Sequence, residues 1–170
     1  MYHQGDPGSG IGGYDLASPQ DHIFAFDYNS SGRQDYLALY RPGTGTFWIL
    51  KNEQGFFSPV YRKGDPWLGI GDFNLKSSLD SAFALDYNGT GRMDHLVLYR
   101  PGSGAIFIIE NRSGKFVPIY QQGAGGNGIG GFDLKSTADV TFAVDPGTRK
   151  MTSTMLYHPG TGAVFIVARA

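Results

Sequence analysis

Three stretches of the chain, YHQGDPGSGIGGYDL from Tyr2, YRKGDPWLGIGDFNL from Tyr61 and YQQGAGGNGIGGFDL from Tyr120, are versions of one another set at a period of 59 residues. A fixed period of this length means that one supersecondary unit is copied, and such a unit buries its apolar surface against its neighbours. The units run 2–60, 61–119 and 120–170, so the chain of 170 residues reads as a single domain of three repeats. Later in each unit come LALYRPGTGTFWIL, LVLYRPGSGAIFII and MLYHPGTGAVFIV, the last one residue early. The third unit has therefore lost a position within DPGTRKMTS.

Gly (26 residues) and the aromatic residues are abundant, while segments of helical period are missing, which points to short strands joined by many turns. Each unit reads as four strands: Phe24–Asp27, Tyr36–Arg41, Thr46–Asn52 and Phe56–Lys63 in the first. The RPGTG segment between the second and third is a tight turn, Pro fixing one backbone angle and Gly supplying a positive one. In the third strand Phe47 and Ile49 point one way and Trp48 and Leu50 the other, so both faces are covered. A four-stranded sheet buried on both faces and repeated is the blade of a β-propeller. A β-trefoil also has three repeats, but its strands pair into a barrel with one solvated side, and these units are long for it. The expected fold is all-β, a propeller with three blades in the chain.

The phase of the repeat adds an expectation about assembly. Met1 aligns with Val60, inside the fourth strand, and Ala170 lies just past the third strand of the last unit. Two chains related by a two-fold would then make six blades, the start of each finishing the last sheet of the other. A homodimer is expected, with a piece cut from a longer chain as the alternative.

The loop between the first two strands reads DYNSSGRQD at Asp27 and DYNGTGRMD at Asp86. Oxygen ligands at alternate positions with Gly at the bend suit calcium. Asp27, Asn29, Ser31 and Asp35, and likewise Asp86, Asn88, Thr90 and Asp94, stand at those positions, with the Arg33 and Arg92 carbonyls between. A second reading needs no metal: Asp27 and Asn29 cap their own backbone in Asx-type turns. Ser31 and Thr90 leave only two carboxylates per loop, and the third loop keeps only Asp145 and carries Arg149 and Lys150, so it should be metal-free.

These loops and their spacing resemble the FG-GAP (VCBS-type) repeats of integrin-like propellers and their bacterial and fungal relatives, over essentially the whole chain. The resemblance implies a propeller whose loops can hold Ca2+. The units also look like those of fungal and bacterial propeller lectins, including mushroom lectins with pockets for N-acetylglucosamine. That likeness implies a carbohydrate-binding protein, and its motifs carry over no pocket residue.

Strand alternation puts the long Gly-rich linkers and the RPGTG turns on one face. There Asp6 or Asp65, with an aromatic at Tyr14, Phe73 or Phe132 beside Arg41, Arg100 or His158, would build one shallow pocket per blade junction. Few polar groups with an aromatic wall suit sugars. Trp67, whose counterparts are Gly8 and Gly126, is a further candidate contact or simple drift. Several such pockets would give multivalent recognition of clustered glycans. Each residue also has a structural reading: Arg41 and Arg100 can pair with a carboxylate, and the Gly-Ile-Gly segment can simply turn the chain.

Other classes are set aside. Lys and Arg (14) balance Asp and Glu (15) with no basic run, which argues against nucleic acid. No apolar stretch suggests membrane insertion or a leader, and the absence of Cys suits cytosol and exterior alike. The acidic residues recur mostly with the period and the four histidines do not cluster, so neither catalysis nor a zinc site is expected. The main alternative to a lectin is a non-catalytic structural or adhesion module that binds a protein; Asn29, Asn88 and Asn111 sit in N-x-S/T triplets compatible with secretion.

Overall fold

The structure is a computed structural model that describes residues 10–63, 69–123 and 128–168. These residues form three antiparallel sheets and no helix long and apolar enough to cross a membrane. The first blade is β1 (His22–Phe26), β2 (Tyr36–Arg41), β3 (Thr46–Glu53) and β4 (Phe56–Lys63), in that spatial order. The second repeats it with β5 (Ser81–Leu85), β6 (His95–Arg100), β7 (Ala105–Arg112) and β8 (Lys115–Gln122). The third has β9 (Val140–Val144), β10 (Ser153–His158) and β11 (Ala163–Ala168), with β11 at the edge among the described residues.

Three of the four expected strands of the first unit fall where the alternation places them. The first starts two residues earlier, because His22 pairs with Tyr40 before the apolar run begins. Within each pair β3·β4 and β7·β8 the register slips by one, next to Pro59 and Pro118. Proline has no N–H to give the ladder, and an outer strand with a bulge tolerates it.

The sheets stack face to face, with β1 against β5 and β5 against β9. Tyr40, Phe47 and Ile49 of the first blade pack on Leu96, Leu98 and Ile109 of the second in one cluster. Val97, Tyr99, Ile106 and Ile108 of the second pack on Leu134, Leu156 and Phe132 of the third in another. Backbone bonds cross the same junctions: the Asp27 amide donates to the Met93 carbonyl and the Asp86 amide to the Met151 carbonyl, each at 3.0 Å. The chain is thus all-β, as expected, and built from small stacked antiparallel sheets of three and four strands in a propeller-like arrangement.

Among the described residues nothing covers the two outward faces to the same degree. Ile23 is 50% exposed, whereas its second-blade counterpart Ala82 is 8% exposed; Val164 is 51% exposed, whereas its counterpart Ile106 is 1%.

Each linker folds back onto its own blade. Ile11 and Tyr14 exchange backbone bonds of 2.7 and 2.9 Å, and the pairs Ile70·Phe73 and Ile129·Phe132 do the same. At Gly10, with φ of 58°, a Cβ would lie 1.6 Å from the Tyr14 carbonyl oxygen, so only glycine closes this turn.

Candidate functional site

On the linker face each blade pairs one basic side chain with an aspartate, partly shielded from solvent. Arg41 Nε donates to Asp21 Oδ1 at 2.7 Å and its terminal nitrogen to Asp21 Oδ2 at 2.9 Å, a bidentate fork that also reaches Asp15. Arg100 grips Asp80 in the same way, at 2.6 and 2.8 Å, and His158 Nδ1 lies 2.6 Å from Asp139. The guanidiniums also cover the aromatic rings, Arg41 at 5.3 Å from the Tyr14 centroid and Arg100 at 5.1 Å from that of Phe73.

Burial drives the electrostatics here. It pushes the Asp80 carboxyl up, and the Arg100 bonds offset this only in part. Burial also pushes Asp21 up, but the hydrogen bonds from Arg41 and Tyr14 outweigh it and leave that carboxyl below the usual range. The Tyr14 phenol is raised by burial and by its 2.8 Å bond to Asp21.

The structure therefore brings together Tyr14 with Arg41, and Phe73 with Arg100, as the spacing suggests, but it closes the pockets they were to form. Tyr14, Phe73 and Phe132 are buried. Their remaining ring edges meet Trp48, Phe107 and Phe165 of the same blade at 5.6, 5.2 and 5.3 Å. No aromatic wall of these three is left open to a sugar. Asp6, Asp65 and Trp67 lie outside the described residues. The partners Asp21, Asp80 and Asp139 were missed, although they recur with the period just before the first strand of each blade.

On the opposite face the loop aspartates hold their own turns. Asp27 accepts from the Ser31 amide at 2.9 Å and from the Gly32 amide at 2.7 Å, and Asp86 does the same for Thr90 and Gly91. Asp94 lies 2.8 Å from His95 Nδ1, and Asn88 Nδ2 is 3.3 Å from His95 Nε2. Asp35 is 3.8 Å from Arg33. Among the described residues no three His, Asp or Glu side chains gather as a metal set. Asn29 stands instead on a groove.

That groove, of about 520 Å3, runs between the first-blade loop and the β7–β8 hairpin of the second blade. Tyr28, Asn29, Ser30 and Tyr36 form one wall, and Glu110 to Gly114 the other. Asn111 ties the walls together: its amide nitrogen donates to the Tyr28 carbonyl, and its side-chain oxygen accepts from the Gly114 amide at 2.8 Å. Asn111 is buried, with both its amide nitrogen and its amide oxygen bonded. Glu110 and Arg112 form an ion pair of 2.7 Å at the rim, with Arg112 largely exposed. Burial, and then the neighbouring Tyr36, raise the Tyr28 phenol, so it keeps its proton and stays a donor. The Tyr28 oxygen lies over the hairpin, where a Cβ at Gly114 would stand 2.9 Å from it.

Glu110 and Arg112 break the repeat. Their first-unit counterparts are Lys51 and Glu53, charges of the opposite order, themselves paired at 2.6 Å. That inversion was the available sign that unlike groups converge in this groove.

No family model matches the chain, and no curated protein matches it. Among solved structures it is similar to a Bacteroides fragilis protein assigned as a 6-phosphogluconolactonase, with a TM-score of 0.51 and 10% identity. The likeness covers 88% of this chain but only 34% of the other, so the chain spans about a third of that structure's length. At this identity the likeness shows the fold. Neither integrin-type repeats nor lectins find support among these matches. The expectation of a non-catalytic glycan-binding lectin or adhesion module is corrected: the structural neighbour is assigned as an enzyme, and the sugar pockets are closed by intrachain pairs.

Proposed function

We propose that the chain supplies blades of a propeller hydrolase that opens a small anionic lactone in the groove between the first two blades. The observation that supports this most is the convergence of a carboxylate, a guanidinium and a protonated phenol on one polar groove. The structural neighbour, assigned as a 6-phosphogluconolactonase, carries in that name a lactone of this kind.

In this reading Arg112 leaves its exposed pairing with Glu110, which is worth at most about 1 kcal/mol, and takes the substrate's anionic group. Glu110, freed, accepts a proton from water as the water oxygen attacks the lactone carbonyl carbon. The Tyr28 hydroxyl donates to the oxyanion that develops. The ring C–O bond then breaks, the departing oxygen takes the proton from Glu110, and a hydroxy acid is released.

Ionisation of that acid gives the assay. Proton release from 6-phosphogluconolactone and from unphosphorylated glucono-δ-lactone should exceed the uncatalysed rate. Glu110→Gln should lower kcat at least about 100-fold, and Arg112→Ala should raise KM mainly for the phosphorylated substrate. Rates equal to those of buffer for both lactones would sink the proposal.

A further inference from the structure

The loop between β9 and β10 differs in charge from its two counterparts. In the first two blades this loop ends on an aspartate, Asp35 or Asp94, two residues after Arg33 or Arg92. In the third, Thr152 takes the place of the aspartate, Lys150 that of the arginine, and Arg149 precedes it. Among the described residues neither cation pairs with a carboxylate. Asp145, the only acid of the loop, is engaged by its own turn, accepting from the Gly147 and Thr148 amides at 2.9 and 2.7 Å. Lys150 instead reaches the second blade, where its ammonium donates to the Gly89 carbonyl.

Residues 145–151 are exposed and Thr152 is partly exposed. The equivalent tip of the first loop, residues 31–34, is exposed as well, although the four strands of the second blade follow it. Exposure therefore belongs to this loop wherever it occurs. Two basic side chains three and two positions ahead of a hydroxyl, on an accessible loop, form the charge pattern that a protein kinase with an acidic substrate groove selects. Arg41 and Arg100 also stand three positions ahead of a hydroxyl, but they hold Asp21 and Asp80, and Thr44 and Ser103 donate to the Arg41 and Arg100 carbonyls at 2.8 and 3.0 Å. Those two sites are occupied.

We propose that Thr152 is a phosphorylation site for a kinase that reads Arg149 and Lys150. Its Oγ1 attacks the γ-phosphorus of ATP, the bond to the ADP oxygen breaks, and the hydroxyl proton passes to the base of the kinase. The product places a charge of about −2 where the other blades carry a single carboxylate. It draws the Lys150 ammonium away from Gly89, and it stands next to Met151, whose carbonyl holds the amide of the buried Asp86. Like charges then push the two loops apart. A Cβ at Gly89 would lie 3.8 Å from Thr152 Cγ2, so the new group has the second loop as its neighbour.

The full chain is incubated with ATP and the catalytic subunit of cyclic-AMP-dependent protein kinase, which selects basic residues at these two positions. Intact mass should show one added phosphoryl group, and peptide mapping should place it on Thr152. Thr152→Val should abolish it, and Arg149→Gln, which leaves the Lys150 contact in place, should slow it at least about 10-fold. Hydrogen exchange at the Asp86 amide should quicken in the phosphorylated chain, while the Asp27 amide, its counterpart one junction earlier, should keep its rate. No incorporation, phosphate on Thr148 or Ser153 in place of Thr152, or an unchanged rate in Arg149→Gln would overturn the site. Unchanged exchange at Asp86 in the phosphorylated chain would overturn its effect on the junction.

Discussion

The junction between the first and second blades and the junction between the second and third are built from the same repeat, yet one is filled with rings and the other holds a cavity. On the near side of both, a tyrosine pair waits: Tyr28 and Tyr61 in one, Tyr87 and Tyr120 in the other. On the far side of the first junction β8 supplies a fourth strand, and with it Phe116, whereas the third sheet has three strands among the described residues. The difference teaches that a blade's outermost strand serves the preceding junction as much as its own sheet. In a stack of this kind stability is carried by interfaces, and one side chain can decide whether an interface closes.

Removing that side chain should be the sharpest way to erase the contrast. Phe116→Ala empties the filled junction at a buried site ringed by three aromatic side chains, and should cost about 3–5 kcal/mol in urea denaturation. A loss under about 1 kcal/mol would mean that the two junctions are equally loose.

The ion pairs come next. Asp80 lies within the filled junction, where its charge faces Tyr40 of the first blade, and its side chain is fully buried. Arg100→Ala leaves that carboxylate without its partner and should cost about 3 kcal/mol. Arg41→Ala should cost about half as much: each aspartate keeps an amide bond, from Ser18 and Ser77 respectively, but Asp21 also keeps the Tyr14 hydroxyl at 2.8 Å and is less completely buried than Asp80. Equal losses would show that the neighbouring blade adds nothing to the pair.

In the opposite direction, Leu85→Phe gives the open junction the residue that the closed one has. It should fill part of the cavity and raise stability by about 1 kcal/mol, whereas Phe26→Leu should lower it by a similar amount.

How much of this could be read beforehand follows from what each feature depends on. The strands were legible because Phe47, Ile49 and Leu50 alternate in a run that is apolar on both faces, and a period of 59 residues repeats the pattern. The start of β1 was not, since His22 has no apolar signature and pairs only because Tyr40 stands opposite. Tyr14, Phe73 and Phe132 look exposed in a Gly-rich linker; they are buried because that linker doubles back onto β3, β7 and β11. The Arg41·Asp21 pair spans 20 residues and depends on the same doubling back. Glu110 and Arg112 were legible as departures from the period. The cavity was not, since it depends on how side chains as far apart as Leu85, Ile129 and Val167 meet across two sheets.

The smallest expected effect separates the two acids by sign. Asp21 in the folded chain gives up its proton more readily than in the unfolded chain, so its contribution is present above the ordinary aspartate value and lost as pH falls below that value through the lower folded one. Asp80 holds its proton more tightly when folded, so its contribution is present at acid pH and lost as pH rises through its folded value. Urea midpoints measured at pH 5, 4 and 3 should therefore fall less steeply in Asp21→Asn than in the parent chain, and more steeply in Asp80→Asn. Both changes should stay below that of Leu85→Phe. Slopes that shift the same way in the two variants would mean that burial at the closed junction does not set Asp80 apart from the acid on the open side.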